Sequence, residues 1–286
     1  MGTDRQYNRR DGFTLIELSI VLVVIGLIVG GILVGQTMIG AATLRAQITQ
    51  IEKYNQAANT FYGKYGALPG DITPQAVTQF GFTAGAARSG AAGDGDGNGE
   101  LDGGGSSGGQ GQENVYFWED LSTNSNLIEG GFNAAPGPET RPNCTSIATC
   151  SVLFPYAKIG NGAFVYVYSG YQGCLVSVEC GPNFFGLSFI NSINLGDVGT
   201  GAIPPAPALT VAQAYAIDSK IDDGLPGTGN VRAQYLTNTK PGWSSNSSTP
   251  TTSTCIYFPS GTGAYYLPNS NLVNCGISFK MQAGDQ

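Results

Sequence analysis

The chain has 286 residues, enough for one large domain or two small ones. It contains no histidine, which excludes Ser–His and Cys–His nucleophile systems. Its formal net charge is −7, which argues against a nucleic-acid partner, because phosphate binding needs clustered Lys and Arg.

The stretch from Phe13 to Val34 is apolar over 22 residues, and Glu17 is its only charged residue. A helix of this length spans ~33 Å, about the thickness of a bilayer core. Arg9 and Arg10 precede the stretch, which favours a cytoplasmic N-terminus and an exported C-terminal region. Because an unpaired carboxylate in lipid is costly, Glu17 is a candidate functional residue.

Gly12, Phe13 and Glu17, followed by a continuous apolar helix, resemble the processing site of a type IV prepilin or pseudopilin. The resemblance implies that a prepilin peptidase cleaves between Gly12 and Phe13 and methylates the new N-terminus. It also implies that Glu17 pairs with the α-amine of a neighbouring subunit during filament assembly. The alternatives are a secretory signal peptide, whose apolar region is normally shorter, and a plain signal anchor. No small-x-small cleavage site follows the apolar run, as a signal peptide would need, and a plain signal anchor gives no reason for Glu17 or for Gly12-Phe13.

Beyond Val34, apolar and aromatic residues continue at helical spacing, namely Leu44, Ile48, Ile51, Ala58, Tyr62 and Tyr65. The pattern predicts one helix from Phe13 to about Tyr65, ended by Gly66. We therefore expect a leader (1–12), a long helix (13–65, transmembrane over about 13–34) and a globular head (66–286). The expected fold class is α+β and pilin-like, with the helix packed on an antiparallel sheet.

A glycine-rich loop contains a series of alternating oxygen-bearing side chains, Asp94, Asp96, Asn98, Glu100 and Asp102. Their spacing resembles the first nine positions of an EF-hand calcium loop. The twelfth position, where a bidentate Glu belongs, is Gly105, so Glu113 or Asp120 is the candidate for the missing carboxylate. The loop predicts a structural Ca²⁺ site that is weaker than a complete EF-hand. The alternative is a solvated acidic linker.

Later segments predict the elements of the head. Asn114 is expected to cap a helix from Val115 to about Ile128. Two strands are expected at Ala163–Tyr168 and Phe184–Ile190, and a helix capped by Thr210 at Leu209–Ile221. The carboxylates that follow this last helix, Asp222 and Asp223, favour a capped turn over a second cation site, because they lack the alternating spacing of a chelating loop.

The six cysteines of an exported chain predict three disulfides. Six cysteines allow 15 connectivities, and short spacing favours pairing between neighbours: Cys144–Cys150, Cys174–Cys180 and Cys255–Cys275. A zinc site is disfavoured, because the chain has no C-x-x-C motif and no histidine.

The sequence contains no recognisable catalytic set, so we expect a structural protein rather than an enzyme. The resemblance implies a subunit, major or minor, of a type IV pilus. The alternatives are a pseudopilin of a type II secretion system and a membrane-anchored binding protein that does not polymerise. The implied partners are other copies of the chain or related pilins, the prepilin peptidase and an inner-membrane assembly platform. The implied location is the inner membrane, followed by a pilus or a periplasmic pseudopilus.

Overall fold

The computed structural model describes residues 12–82, 88, 95–101, 113–133, 143–144, 146–169, 183–189, 193–194, 207–233, 246–247, 249–257 and 263–284. The chain divides into an N-terminal unit, Met1–Thr43, and a C-terminal unit, Leu44–Gln286. The boundary between these units falls inside the first helix. The division into leader, helix and head stays a prediction.

The first helix, α1 (Leu15–Tyr65), is 51 residues long and confirms the predicted continuous helix, apart from its first two residues. It contains no proline, so no residue interrupts its ladder of backbone hydrogen bonds. It ends at Gly66, whose φ of 72° is a left-handed conformation that glycine adopts without strain. The Gly66 amide donates to the Tyr62 carbonyl at 2.8 Å, which closes the last turn.

The buried face of α1 differs in part from the predicted apolar stripe. Ile51 and Ala58 are buried as expected, whereas the other predicted positions are only partly buried (Leu44, Ile48, Tyr62 and Tyr65). Tyr54 and Phe61 lie at the centre of the buried face instead. The stripe is therefore rotated toward these two aromatic residues.

Two glutamines also belong to the buried face of α1. Gln47 Oε1 accepts a hydrogen bond from the amide of Ile159, and Gln50 Oε1 accepts one from the amide of Lys158, both at 3.0 Å. Gln50 Nε2 also donates to the carbonyl of Tyr156 at 2.8 Å. These bonds offset the cost of burying the amides and fix the loop 156–159 against the helix.

The described residues after α1 form four α-helices, two short helical turns and eleven strands. These are α2 (Pro74–Phe80), α3 (Glu113–Glu119), a π-helical turn (Asp120–Asn124), β1 (Asn143–Cys144), α4 (Ile147–Leu153), β2 (Ala163–Ser169), β3 (Asn183–Phe189), β4 (Ile193–Asn194), β5 (Leu209–Thr210), α5 (Val211–Ile221), β6 (Val231–Arg232), β7 (Asn246–Ser247), β8 (Ile256–Tyr257), β9 (Ala264–Tyr265), a 3-10 turn (Leu267–Asn269), β10 (Val273–Cys275) and β11 (Ile277–Lys280).

The main sheet is antiparallel, with strand order β2-β3-β11-β6. Phe185 of β3 lies 6.3 Å from Tyr54 of α1 and 5.8 Å from Phe117 of α3, measured between ring centroids. Trp118 of α3 meets Tyr54 edge-on at 4.9 Å. The long helix, α3 and the sheet therefore share one aromatic core, and the predicted α+β class is confirmed.

The helix predicted at Val115–Ile128 is shorter and begins earlier than expected. Asn114 does not cap it, because it lies in the first turn of α3 with its side chain buried. After Glu119 the helix widens into the π-helical turn, and it ends at Asn124. The amides of Leu127 and Ile128 both return to the Leu121 carbonyl, so the chain turns away from the helix axis.

The other predicted elements match more closely. The two predicted strands appear as β2 and β3, paired from Ala163–Phe189 to Ser169–Asn183. Thr210 caps α5 through a capping box with Gln213, as the sequence predicts for Thr210, although Leu209 and Thr210 themselves pair with β10.

Candidate functional site

The proposed processing site is exposed and non-helical. Gly12, Phe13 and Thr14 precede α1, and a Cβ added to Gly12 meets no atom within 4 Å. Phe13 is 91% exposed. Residues 1–11 lie outside the described part of the chain. The bond between Gly12 and Phe13 is thus open to an approaching protein.

Glu17 takes part in a capping box at the start of α1. Its Oε2 accepts hydrogen bonds from the Thr14 amide and the Thr14 hydroxyl, both at 2.8 Å. The Glu17 amide donates to the Thr14 hydroxyl at 3.3 Å. The sequence Thr-x-x-Glu before an apolar run is typical of such a box, so Glu17 has a role within its own helix besides the predicted contact with a second subunit. Glu17 Oε1 accepts no hydrogen bond within the described residues.

The apolar side chains of the N-terminal unit are uncovered. Leu22 is 62% exposed, and Leu27 is 73% exposed. The most apolar part of α1 has no buried residue, and it is long and apolar enough to cross a membrane. An uncovered apolar helix is stable only in lipid or against other apolar surfaces.

A second candidate site lies in the C-terminal unit, where Asp71, Asp96 and Glu113 converge. One carboxylate oxygen of each lies within 4.8 Å of the others. We call these residues the carboxylate trio. Of the predicted calcium ligands, the structure brings Asp96 and Glu113 together and adds Asp71. Asp94 and Asp102 lie outside the described residues.

Backbone amides of the glycine-rich loop bind two members of the trio. Asp71 accepts from the amides of Gly97 and Gly99, each at 2.7 Å, and Glu113 accepts from the amide of Gly95 at 2.8 Å. Gly95 has a φ of +74°, and a Cβ there would lie 2.6 Å from the Ile72 carbonyl oxygen. A side chain at position 95 would therefore push the loop away from the trio.

The trio is buried more deeply than an ordinary acidic loop. Asp71 is 1% exposed and Glu113 is fully buried. Burial raises the pKa of Asp71 to about 7, the charge of Asp96 raises it further, and the amides of Gly97 and Gly99 partly oppose the shift. The carboxylates are thus costly to keep charged next to one another.

The remaining predicted ligands bond locally within the loop. Asn98 Oδ1 accepts from the Glu100 amide at 2.7 Å, and Asn98 Nδ2 donates to Asp96 at 3.1 Å. The loop is anchored just beyond them by Leu101, which is fully buried and bonds through its amide to Asn183 Oδ1 at 2.8 Å. Asn98 therefore contacts the trio through Asp96, and Glu100 is not among the three carboxylates that converge.

Asp120, the alternative candidate for the missing carboxylate, has a different partner. It forms an ion pair with Arg88 at 2.7 Å, with both side chains fully buried. Its second oxygen accepts from the Gly70 amide at 2.7 Å. Arg88 also lies over the ring of Tyr116, 4.4 Å from its centroid. These contacts direct Asp120 toward Arg88 rather than toward a cation site.

Asp218, Asp222 and Asp223 form a second acidic group at the C-terminal end of α5. Donors from the same turn occupy most of their oxygens: Asp223 accepts from the Leu225 amide and the Thr228 hydroxyl, at 2.8 and 2.6 Å. Asp218 accepts from the Tyr265 hydroxyl at 2.8 Å. This arrangement is that of a capped turn.

The predicted Cys255–Cys275 disulfide is present, with a Cα–Cα distance of 5.4 Å. Cys150 is also disulfide-bonded. The side chain of Cys144 lies outside the described residues, as do Cys174 and Cys180. The other two pairings therefore stay predictions.

Residues 7–33 match the family model described as the prokaryotic N-terminal methylation motif. This is the prepilin-type motif of type IV pilins and pseudopilins, and it points to a structural protein. No curated protein and no solved structure shows a significant match to the chain.

Proposed function

Because the chain carries the prepilin-type methylation motif of type IV pilins and pseudopilins, we propose that it is a subunit, major or minor, of a type IV pilus. A prepilin peptidase removes residues 1–12 and methylates Phe13. An inner-membrane assembly platform then moves the subunit from the membrane into a filament, whose core consists of the α1 helices of many copies.

The observation that carries the proposal is the combination of this motif with an uncovered apolar helix. The apolar side chains of residues 15–39 are exposed, as they must be if lipid contacts them first and neighbouring helices later. Glu17 adds a polar contact to this surface. Its Oε2 is held by Thr14, while Oε1 has no donor within the described residues.

The α-amine of a second copy is a suitable partner for Glu17. Each charge alone in lipid costs a few kcal/mol, whereas two opposite charges in contact offset part of that cost. The contact also fixes the axial position of one helix against the next. A pseudopilin of a type II secretion system would use the same processing site and the same Glu17 contact. That function is the alternative proposal.

The N-terminus of the protein from native cells tests the proposal. Sheared surface filaments and membranes are collected separately, and their N-terminal peptides are identified by mass spectrometry. A methylated Phe13 terminus in the sheared filaments supports a pilus subunit. The same peptide confined to membranes favours the pseudopilin. A chain that retains residues 1–12 contradicts both proposals.

The Glu17→Ala variant separates assembly from simple anchoring. Pilus assembly predicts a normal amount of membrane protein and a strong loss of sheared filaments. Glu52→Ala is the control, because it removes another exposed carboxylate of α1 that lies outside the apolar stretch and leaves Glu17 intact. Normal function of Glu17→Ala would support the third hypothesis, a membrane-anchored binding protein that does not polymerise.

We also propose that the C-terminal unit holds a structural Ca²⁺ ion at the carboxylate trio. Oxygen ligands are the ones that Ca²⁺ prefers, and the trio supplies them from three separate segments. Four buried or half-buried carboxylates lie in this region (Asp71, Asp96, Glu113 and Asp120), and Arg88 pairs with Asp120. A divalent cation offsets the remaining negative charge and joins the glycine-rich loop to the start of α3.

Thermal unfolding with and without Ca²⁺ tests this second proposal. At a concentration of about 100 times the Kd, bound Ca²⁺ raises the melting temperature by roughly 5–10 °C for a unit of this size. Asp71→Asn and the double variant Asp94→Ala/Asp96→Ala should lose the shift. Asp223→Asn, in the second acidic group, is the matched control and should keep it. An unchanged melting temperature of the parent protein would contradict the Ca²⁺ site.

A further inference from the structure

We propose that the dipeptide Asn98–Gly99 is a site of spontaneous deamidation, at which the folded glycine-rich loop promotes the conversion of Asn98 to aspartate and isoaspartate. Among dipeptides that contain asparagine, Asn–Gly is the most prone to this reaction, because glycine has no side chain to hinder the ring that forms. The chain contains two such dipeptides, Asn98–Gly99 and Asn161–Gly162. The structure gives the two different surroundings.

The reaction takes place between neighbouring atoms of the chain. The amide nitrogen of Gly99 forms a bond to Cγ of Asn98, the bond between Cγ and Nδ2 breaks, and the proton of the Gly99 amide leaves with Nδ2 as ammonia. The product is a cyclic succinimide. Water from the solvent then adds to either ring carbonyl, and the bond from that carbonyl to the ring nitrogen breaks. The nitrogen regains a proton from the water, and the product is aspartate or isoaspartate.

The side chain of Asn98 is folded back over the Gly99 peptide. Asn98 Oδ1 accepts a hydrogen bond from the Glu100 amide at 2.7 Å, so the carboxamide and the backbone close a turn around Gly99. The Glu100 amide also draws electron density from the carboxamide oxygen, which makes Cγ more open to attack. Nδ2, the leaving group, donates to Asp96 at 3.1 Å. Both bonds hold the carboxamide beside the peptide with which it reacts.

The attacking nitrogen donates its hydrogen bond to a buried carboxylate. The amide of Gly99 lies 2.7 Å from Asp71 Oδ2, and Asp71 is buried. A hydrogen bond to a carboxylate weakens the N–H bond, and burial reduces the screening of this effect by water. The N–H bond lies in the peptide plane, whereas the nitrogen attacks from above that plane. Asp71 therefore promotes the reaction without blocking the approach of Cγ.

The reacting atoms are also accessible and uncrowded. Asn98 and Gly99 are exposed, so water reaches the ring and ammonia leaves. A Cβ added at position 99 would meet no atom within 4 Å, which shows that the ring has room. The loop thus combines an open position with groups that bind the nucleophile, the carbonyl and the leaving group.

Asn161–Gly162 has the same sequence in a different setting. Asn161 is exposed, but its Nδ2 donates to the Ala208 carbonyl at 3.1 Å, which directs the carboxamide to a segment 47 residues away. A Cβ at Gly162 would lie 2.8 Å from the Phe189 ring, so this peptide is more crowded. Residues 143–169 contain no Asp or Glu. We therefore expect the fold to protect Asn161, which makes it an internal control.

The conversion changes the charge and the backbone of the loop. Each event adds a carboxylate at position 98, beside Asp96 of the carboxylate trio. Isoaspartate also inserts a methylene group into the backbone, which moves the Gly99 amide relative to Asp71. Because the protein does not reverse the reaction, the converted fraction rises with the age of the molecule.

The rates of conversion at the two asparagines test the proposal. The full chain in mild detergent is incubated at neutral pH with a chelator, either folded or unfolded in urea, and the mass of each peptide is followed by mass spectrometry. We expect Asn98 to convert at least ~10-fold faster in the folded chain than in urea, and Asn161 to convert more slowly in the folded chain. An equal or lower rate of Asn98 in the folded chain would overturn the proposal, because the fold would then give no assistance.

The Asp71→Asn variant tests the contribution of the buried carboxylate. The variant keeps an acceptor oxygen and loses the charge, so conversion of Asn98 in the folded chain should slow by about tenfold or more, with no change in urea. Asp223→Asn, in the second acidic group, is the matched control and should keep the rate of the parent. Equal rates for Asp71→Asn and the parent would contradict the role of Asp71. If Asp71→Asn does not fold, the comparison of the folded and unfolded parent still decides the proposal.

The test remains separate from the proposed function. Deamidation depends on the glycine-rich loop and its contacts, and the chelator removes any contribution of Ca²⁺. A chain that retains residues 1–12 in cells would contradict the pilus and leave the expected conversion of Asn98 unchanged. A cleaved chain in which the fold protects Asn98 would do the reverse.

Discussion

The N-terminal and C-terminal units place their apolar and charged residues in opposite ways. Leu22 of the N-terminal unit is 62% exposed, whereas Leu121 of the C-terminal unit is fully buried. Glu17 is exposed at the start of α1, whereas Asp120 is buried against Arg88. The same residue types are thus exposed in one unit and buried in the core of the other.

This difference explains why a short motif identifies only one of the units. If the proposed function holds, the surface of α1 must fit lipid, a peptidase and neighbouring helices, and each residue of it is constrained. Residues 7–33 match a family model. A core is constrained mainly by volume and by the pairing of its polar groups. Matched substitutions should therefore have different effects in the two units.

The largest difference is expected for removal of a carboxylate. Asp120→Ala leaves the Arg88 guanidinium buried without its partner, which costs about 3–5 kcal/mol of unfolding free energy. Glu17→Ala removes an exposed group of the other unit and should leave the unfolding of the C-terminal unit unchanged. Urea unfolding of the full chain in mild detergent, followed by tryptophan fluorescence, measures both. Equal stability of the two variants would contradict the buried ion pair.

A smaller difference is expected for truncation of a leucine. Leu121→Ala removes a fully buried side chain and leaves a cavity, which costs about 2–5 kcal/mol. Leu22→Ala makes the same change where the side chain is already exposed. The same unfolding experiment should show no effect of Leu22→Ala on the C-terminal unit. A loss of stability comparable to that of Leu121→Ala would mean that Leu22 packs against that unit.

The sequence predicts those features that depend on local pattern. The lack of proline and the apolar run predict α1 almost to the residue, and runs of apolar, β-branched and aromatic residues predict β2 and β3. The capping box of Thr210 and Gln213 marks the start of α5. Each of these features is determined by residues that are neighbours in the chain.

The features that the sequence does not reveal depend on distant partners. Asp71 lies outside the alternating series of the glycine-rich loop, yet it accepts hydrogen bonds from Gly97 and Gly99, 26 and 28 residues later. Arg88 lies in a low-complexity segment, and its burial depends on Asp120, 32 residues away. Gln47 and Gln50 interrupt an apolar stripe, because their partners are amides more than 100 residues away. No local pattern encodes such pairs.

The smallest effect concerns a buried acid of the C-terminal unit. Burial raises the pKa of Asp218 to about 6, while the Tyr265 hydroxyl and the Gly224 amide oppose the shift, and Asp222 and Asp223 reinforce it. The folded protein thus binds the proton more tightly than the unfolded chain. The stabilising contribution of this group is present below about pH 4 and is lost as the pH rises through about 6.

The Asp218→Asn variant isolates this contribution. Asn keeps an acceptor oxygen and cannot ionise. The melting temperature of the variant should therefore fall less than that of the parent between about pH 4.5 and pH 7. Both proteins are compared with a chelator present, so that Ca²⁺ does not contribute. The N-terminal unit is the reference, because Glu17 is the only acid in residues 12–43 and is exposed. Glu17→Gln should therefore retain the pH dependence of the parent's melting temperature. If the melting temperatures of Asp218→Asn and the parent instead change with pH in parallel, Asp218 does not titrate in this range.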